Sequence, residues 1–310
     1  MKKNQKSKIK NQVYKVSVLF SVFCVLLLPG AAHSREMVIM AKKLTQELPL
    51  DPNAAEWATA KAVDVPFASQ VITRPRTYEA SVKEARVRAL HNGKDIAFLL
   101  EWTDSTRDAV FEVVHTFSDA AALQFPSERT GTMPHFGMGH EEGIVNIWNW
   151  KAVFQFQDGA DKKVVYAMVD DFLAGHKAGN PVSLHKTPVE NLIAGGFGSL
   201  TAMEEKAQNV AGGGKWDAGT WKVLFKRSIK GAEKYEAQFE EGKLTPLAFA
   251  VWDGAKGERG ARKAVSTWYY VGLEKETPAT VYIYPILAFI GTAAVLGGLI
   301  LYLIRKRRAE

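Results

Sequence analysis

The sequence predicts an all-β protein, an antiparallel β-sandwich followed by a single C-terminal transmembrane helix. Three observations support this fold class. Short runs alternate apolar and polar residues, turn residues separate the runs, and one long uncharged apolar segment lies near the C-terminus. Alternation with a period of two is typical of half-buried strands, and many short strands with turn signals favour a sandwich. The sequence shows no convincing long amphipathic helix.

Two hairpins are the strongest local signals. The strand Arg86–His91 leads through Asn92-Gly93 to Asp95–Trp102, and an Asn-Gly pair between alternating runs indicates a tight hairpin. Gln208–Trp216 and Trp221–Arg227 form a second predicted hairpin around a short turn.

The other predicted strands complete one domain of about residues 43–277. In Gly143–Gln157 we expect Trp148, Trp150, Phe154 and Phe156 on one face. Three more strands are predicted at Lys163–Asp170, Leu247–Asp253 and Val265–Val271. Residues 103–143 and 171–207 are predicted to be long irregular stretches, which in compact domains are usually functional or disordered.

The two ends of the chain carry membrane signals. Residues 1–34 combine a Lys-rich start, an apolar run Val16–Leu28 and small residues before a cleavage site, which is typical of a secretory signal peptide. An uncleaved N-terminal anchor is the alternative. The lone cysteine, Cys24, would leave with this peptide, so a covalently attached c-type heme and disulfides are excluded from the mature chain.

Residues 281–304 are predicted to form a transmembrane helix. The segment is uncharged, long enough to span a bilayer, and directly followed by the basic tail 305–310. Because basic residues stay on the cytoplasmic side, the domain 35–280 is expected outside, in the periplasm of a bacterium, anchored to the inner membrane. A buried core helix is the alternative.

The distribution of charge and the motifs of the sequence exclude some classes of function. The chain has a net charge of +7, but the excess lies in its two ends and residues 35–280 are slightly acidic. A nucleic-acid partner is therefore not expected. The sequence has no phosphate-binding loop and no nucleophile motif, so no catalytic residues are predicted.

Candidate ligand chemistry concentrates in the segment 132–142. It contains Met133, His135, Met138 and His140, just before a predicted strand. Methionine sulfur suits heme iron or copper, and imidazole suits iron, copper and zinc. Alternatively, Met138 fills a gap beneath a loop, as methionine often does.

The order of motifs resembles known β-sandwich families. The opening residues 50–57 and the first hairpin resemble CBM9-like and DOMON sandwiches. The segments 135–139, 145–151, 195–201 and 208–227 resemble the heme-binding gamma subunits of the ethylbenzene dehydrogenase and dimethyl sulfide dehydrogenase type. The resemblance extends over roughly residues 45–273.

The resemblance implies a non-covalent heme b with one axial methionine and one axial lysine. Met138 matches the family methionine by its surroundings. It also implies a non-catalytic electron-transfer subunit docked to an iron–sulfur subunit, itself bound to a molybdenum catalytic subunit, with a quinone or cytochrome as further redox partner. The membrane segment departs from the soluble members of that family.

The axial lysine is predicted from an assumed strand order. If the strands beginning near Gly143, Lys163 and Gln208 run down, up and down, then Lys206 lies at the same end of the sandwich as Met138, and Lys215 lies at the far end. The expected ligands are therefore Met138 and Lys206. A different loop path brings in Lys186 or Lys215, and a solvated Lys206 is the simplest alternative.

Two other functions remain open. CBM9-like sandwiches bind sugars on exposed tryptophans, and this chain has eight. Against this, Trp148 and Trp150 share their predicted face with phenylalanines, which indicates a core position. A copper or zinc site built from Met133, His135, Met138 and His140 is the third hypothesis.

Overall fold

The computed structural model describes residues 36–72, 74, 76–110, 115–127, 133–156, 188–275 and 280–309. The predicted fold class is confirmed, because the described residues from 37 to 275 form a β-sandwich and an apolar helix follows near the C-terminus. The predicted signal peptide, the strand Lys163–Asp170 and the alternative ligand Lys186 lie outside the described residues.

The described residues contain fourteen strands. They are β1 (Val38–Lys43), β2 (Val63–Pro66), β3 (Ala68–Ser69), β4 (Glu84–His91), β5 (Asp95–Thr103), β6 (Ala120–Pro126), β7 (Val145–Lys151), β8 (Val189–Ala194), β9 (Thr201–Ala202), β10 (Ala211–Asp217), β11 (Thr220–Ser228), β12 (Thr245–Trp252), β13 (Ala264–Val265) and β14 (Tyr269–Leu273). The helices are α1 (Ala152–Phe156) and α2 (Thr280–Ala309), with short 3-10 turns at Ala55–Thr59, Glu205–Ala207 and Gly254–Lys256.

The strands form two layers joined by β1. The first layer has the order β10-β11-β5-β4, with β2 also paired to β4. The second has the order β14-β12-β6-β7-β8-β9, and β13 pairs with β12 and β3. Residues 42–43 of β1 pair with β4, and residues 38–41 pair with β14, in both cases in parallel. The other pairs are antiparallel, so β1 is the exception to the predicted pattern.

Aromatic side chains fill the space between the layers. Phe98 of the first layer meets Phe125 and Trp148 of the second, with ring centroids 5.9 and 6.1 Å apart. Trp221 stacks on Trp102 and meets Trp150 edge-on at 5.1 Å. All six side chains are almost completely buried. Trp148 and Trp150 are therefore core residues, as the sequence indicated.

Three strands of the second layer, β6, β8 and the short β9, lie in stretches predicted to be irregular. Of these, β6 and β8 are buried along nearly their whole length. A strand covered on both faces has no apolar–polar alternation, so the period of two cannot reveal it. In the second layer β8 lies beside β7, whereas β10 is at the edge of the other layer. The strand predicted between those that begin near Gly143 and Gln208 lies outside the described residues, so the strand order assumed for the choice of Lys206 stays a prediction.

Two predicted strands end earlier than expected. The run Gly143–Gln157 becomes β7 and then α1, where the Ser118 hydroxyl accepts a hydrogen bond from Val153 N at 2.9 Å. The turn separates two phenylalanines predicted to share one face. Phe156 lies 6.2 Å from the Trp221 ring, whereas Phe154 faces a cavity on the other side of the layer. Similarly, Val265–Val271 divides into β13 and β14.

One helix in the described part of the chain is long and apolar enough to cross a bilayer. It is α2, whose segment Thr280–Gly298 meets the length and composition required for a span. The helix continues to Ala309 and so includes the basic residues of the tail.

Candidate functional site

The outward face of the second layer forms the floor of the candidate site. Opposed residues on neighbouring strands share this face: Ala122 pairs with Asn149 and Ala250, and Gln124 pairs with Ile147 and Ala248. The alanines are small, so the floor is flat at its centre. All these side chains are buried although they point away from the sandwich core.

A cavity of about 620 Å³ lies on this floor. Its volume is within the range of about 300–1,000 Å³ that is usual for cofactor and ligand pockets. The walls come from the segment before β7, the loop after β8, helix α1 and the segment before β13. These walls contribute Phe136, Met138, Phe154, Phe197, Leu200, Trp252 and Lys263.

Gln124 on the floor anchors the loop that carries Met138. Its side-chain amide donates hydrogen bonds to the carbonyls of Phe136 at 2.8 Å and His135 at 3.3 Å. Its side-chain oxygen accepts one from Met138 N at 3.0 Å. The Met138 carbonyl accepts another from Gly196 N at 2.8 Å, which ties the loop after β8 to the same point. These bonds fix the Met138 backbone at the cavity wall.

The backbone of Met138 is strained. Its φ is +73°, in the left-handed region that side chains other than those of glycine, asparagine and aspartate rarely adopt. Such a conformation costs on the order of 1–3 kcal/mol and occurs often at functional sites. Gly139 also has a positive φ of +70°, and a Cβ there would lie 2.4 Å from the carbonyl oxygen of Gly143. The loop therefore holds a methionine where a glycine would be easier to accommodate.

Lys263 lines the same cavity from the segment before β13. The residue is only 8% exposed, and its Nζ stands 4.9 Å from the centre of the Trp252 ring. Burial lowers the pKa of its amine to about 8. Within the described part of the chain, no carboxylate forms an ion pair with this amine to offset its burial. A buried lysine with a lowered pKa is a candidate functional group, because its neutral form can donate a lone pair.

Cationic side chains also border the cavity. Arg74 and Arg259 are exposed residues that line it, and the Arg259 guanidinium lies 4.1 Å from the Phe117 ring centre. Lys151 is paired with Glu190 at 2.8 Å. Arginine at the border of an apolar cavity suits a ligand with an apolar body and carboxylate substituents.

Met138 and Lys206 are not brought together at this cavity. Lys206 is not among its lining residues; its side chain is 62% exposed, and its Nζ lies 3.1 Å from Glu233 and 3.6 Å from Glu204. Glu233 and then Glu204 raise the pKa of the Lys206 amine, which favours its charged form. Lys215 is exposed on β10, in the other layer.

The other residues of the predicted Met/His segment do not line the cavity. Met133 is 45% exposed. His135 stacks on Phe136, and its Nδ1 accepts a hydrogen bond from Gly137 N at 2.9 Å. His140 lies within 3 Å of the position that a Cβ on Gly143 would take, which explains the glycine there. Of the four candidate metal ligands, Met138 alone contributes to the cavity among the described residues.

Lys263 is a candidate site residue that the sequence analysis did not select. It lies in the polar segment Gly257–Lys263, which looks like a solvated loop. One sequence signal was available: Lys263 directly precedes the apolar pair Ala264-Val265. This position could have indicated that the lysine stands at the start of a strand.

The donor set fits a planar cofactor with a central metal ion. Met138 and Lys263, a thioether and an amine residue, line different walls of one largely apolar cavity whose floor includes alanines. A heme requires these features: an apolar cleft, one or two strong axial donors, and cations for its carboxylates.

Comparison with known proteins gives a family match over most of the sandwich. A family model described as ethylbenzene dehydrogenase matches residues 54–264, more than half of the chain. Met138 and Lys263 both fall within the matched range.

Three relatives are similar over much of the chain. A protein of Haloferax mediterranei, named as a candidate respiratory nitrate reductase heme subunit, is 29% identical over 73% of this chain and 69% of its own length. The chlorate reductase subunit gamma of Ideonella dechloratans is 24% identical over 76% and 84%. The dimethylsulfide dehydrogenase subunit gamma of Rhodovulum sulfidophilum is 29% identical over 55% and 53%.

Solved structures with a similar fold include carbohydrate-binding proteins. A family 9 carbohydrate-binding module from Caldicellulosiruptor kristjanssonii, in complex with glucose, has a TM-score of 0.40 and 6% identity over 78% of this chain and 97% of its own. A protein from Bacteroides uniformis, described as a candidate carbohydrate-binding protein, has a TM-score of 0.41 and 8% identity over 77% and 93%. The fold class of this chain is established by its own strand order and pairing.

Proposed function

Because this chain belongs to the ethylbenzene dehydrogenase family, we propose that it is the heme-binding electron-transfer subunit of a membrane-associated molybdenum oxidoreductase. Relatives named as a heme subunit and as gamma subunits of oxidoreductases support this role. The subunit itself would catalyse no reaction. The heme is b-type and non-covalent in this proposal, since Cys24, the one cysteine, lies in the predicted signal peptide.

One observation carries the proposal: a single apolar cavity is lined by both Met138 and Lys263. We propose that these two side chains would hold the heme iron, in place of the pair Met138 and Lys206. Lys206 is exposed and ion-paired, and a protonated amine with two carboxylate neighbours has no lone pair to donate. Lys263 is buried, and no carboxylate of the described residues forms an ion pair with it.

The chain's own residues prepare each donor. Burial lowers the pKa of Lys263 to about 8, so removing its proton costs far less than for a solvated lysine. Gln124 holds the Met138 backbone in its strained conformation through hydrogen bonds to both sides of the loop. The apolar walls exclude water from the donors. When bound, heme would supply a one-electron redox centre, and two protein ligands would leave no open position for a substrate.

The partners and location follow from the family and the two ends of the chain. We propose that residues 1–34 are a signal peptide, that residues 35–280 lie in the periplasm, and that residues 281–304 span the inner membrane with the tail 305–310 in the cytoplasm. The span is supported by α2, and the orientation by the basic tail. The immediate partner would be an iron–sulfur subunit bound to a molybdenum subunit, with a quinone or cytochrome as the further redox partner.

Absorbance spectroscopy of the full-length chain, purified in mild detergent, tests the cofactor. We expect a split visible heme band on reduction, one heme per chain, and complete extraction of the heme into acidified acetone. Pigment that stays with the protein after extraction would contradict non-covalent binding. A colourless protein that binds cello-oligosaccharides, or one that binds copper stoichiometrically, would replace the proposal with one of the other two hypotheses.

Protease accessibility tests the location. Protease added to spheroplasts should remove the sandwich and leave a small membrane-bound fragment that contains α2. A domain protected until the membrane is lysed would contradict the periplasmic orientation without affecting the heme proposal.

A further inference from the structure

Three buried aspartates meet at one end of the sandwich, on the core side of the second layer. Asp104 directly follows β5, Asp119 directly precedes β6, and Asp253 directly follows β12. One carboxylate oxygen from each lies within 4.8 Å of the other two, and all three residues are buried. The cluster therefore joins strand ends of both layers at a single point.

Asp119 is held in place by three donors. Its oxygens accept hydrogen bonds from Asp108 N at 2.7 Å, Gly254 N at 2.9 Å and Trp221 Nε1 at 2.9 Å. A Cβ on Gly254 would lie 2.1 Å from the Phe117 carbonyl oxygen, so the glycine permits the turn after β12 to approach the start of β6. Backbone N–H groups of Asp108 and Gly254 therefore hold the Asp119 carboxylate beside the turn that carries Asp253.

One further observation points to a ligand in the cluster. Asp104 is 5% exposed; its Oδ1 accepts hydrogen bonds from Thr106 N at 3.0 Å and Thr106 Oγ1 at 3.1 Å, whereas its Oδ2 is buried with no hydrogen-bond donor in the described part of the chain. Buried carboxylate oxygens are nearly always satisfied, because an unsatisfied one costs its full desolvation energy.

The electrostatics of the cluster require a proton or a cation. Burial raises the pKa of Asp119 to about 7, and it raises the pKa of Asp104 and Asp253 above the usual range for aspartate. Neighbouring aspartates add to each increase. Lys256 opposes it at Asp253, but its side chain belongs to an exposed residue.

We propose that Asp104, Asp119 and Asp253 bind a calcium ion. A ligand set made only of oxygens suits a hard cation, and calcium–oxygen distances of about 2.3–2.6 Å allow two ligands to be about 5 Å apart at most. The three oxygens, each within 4.8 Å of the other two, are close enough together to share one such ion. Zinc would prefer nitrogen or sulfur ligands, which the cluster lacks.

The ion would stabilise the wall of the proposed heme cavity that lies at the start of β6. Phe117, Ser118 and Ala120 line that cavity on either side of Asp119 in sequence. Glu258 also lines it and accepts a hydrogen bond from Asp253 N at 3.0 Å. Calcium would therefore fix the start of β6 and the turn that leads toward Lys263. The inference is independent of heme and goes beyond the proposed function.

Terbium luminescence and thermal unfolding of the full-length chain test the site. Trp221 donates to Asp119, so terbium bound there should emit strongly when tryptophan is excited. Calcium should displace it, and magnesium at equal concentration should not. With calcium at 100 times its Kd, the melting temperature should rise by about 5–10 °C. Asp104→Asn, which keeps the side-chain shape, should lose both effects; exposed Asp64→Asn should keep them.

A metal-free cluster that shares a proton gives a different result. In that case the chelator EGTA leaves the melting temperature of the native chain unchanged, and terbium emission equals that of Asp104→Asn. Either finding would overturn the proposal. If Asp104→Asn fails to fold, Asp253→Asn provides the same comparison. Heme content, measured separately by absorbance, keeps failure of the calcium site distinct from failure of the heme proposal.

Discussion

The two faces of the second layer are built from the same strands but have different compositions. On the inward face, β6, β7 and β12 carry large side chains such as Phe125, Trp148 and Phe249. On the outward face, β6 and β12 carry Ala122 and Ala250 at the centre, and the aromatic residues of the cavity stand at its walls. Both faces are buried.

This difference indicates that the inward face of the second layer packs the core, whereas the outward face can bind a ligand. An antiparallel sheet at the surface usually has one apolar face and one polar face in water. Here the outward face is apolar but its centre is built from small side chains, so it leaves a cavity that the protein does not fill. The inward face stabilises the fold, whereas the outward face is suited to a flat apolar ligand.

Truncation on the inward face should give the largest effect. Phe125→Ala should lower the free energy of unfolding by about 3–5 kcal/mol, because it removes a buried ring that contacts Phe98 and Trp148. Urea denaturation measures this value. Ile147→Ala on the outward face, beside the cavity, should cost clearly less. An equal decrease in the free energy of unfolding for the two variants would contradict the different roles assigned to the two faces.

A larger side chain on the cavity floor should abolish heme binding while the fold is retained. Ala122→Phe places a ring in the cavity, and heme affinity should fall by at least about 100-fold, which corresponds to about 2.7 kcal/mol. Heme titration measures the affinity. The matched variant Ala122→Ser, with a small side chain, should still bind heme. Normal heme content in folded Ala122→Phe would show that the ligand lies elsewhere.

Heme affinity should depend on pH through Lys263. A proton competes with iron for the amine, so affinity should rise about tenfold per pH unit below pH 8 and level off above it. The heme-free protein should also become more stable from about pH 8 toward the unfolded lysine pKa of about 10.4, because the unfolded state binds the proton more tightly in that window. Lys263→Met should remove both dependences; their survival in that variant would assign them to another group.

The strained methionine gives the smallest predicted effect. In the heme-free protein, Met138→Gly should raise the free energy of unfolding by about 1 kcal/mol relative to Met138→Leu, because glycine adopts a positive φ without strain. Denaturation of the two variants measures the difference. Both should lose normal heme binding. If Met138→Gly is the less stable variant, strain at this position does not explain the loop.

The fold class and the position of Met138 near the cavity could be predicted in part from the sequence because their signals are local. Both hairpins and the apolar C-terminal segment were found, and Met138 was marked by its flanking glycines. Strand β6 begins Ala120-Ala121-Ala122, which has no apolar–polar alternation, although its middle alanine faces the core and the outer two face the cavity. Periodicity therefore gave no sign of the cavity floor.

Lys263 could not be predicted because its role depends on long-range pairing. The strand β13, which follows it, pairs with β12 and β3, and this pairing sets the lysine beside the floor. Nothing in the spacing of residues along the chain encodes which strand becomes a neighbour. Lys206 was chosen because the strand beginning near Gln208 was assumed to start at the same end of the sandwich as the strand beginning near Gly143. In the structure the former strand, β10, pairs with β11 in the other layer.

The most direct test is the low-spin heme spectrum of single alanine variants at the candidate ligands. Met138→Ala and Lys263→Ala should each lose or reshape the spectrum, whereas Lys206→Ala and Lys215→Ala should keep it. Added methylamine should restore a low-spin spectrum to Lys263→Ala by supplying the missing amine. A native spectrum in Lys263→Ala, together with its loss in Lys206→Ala, would contradict heme binding between Met138 and Lys263.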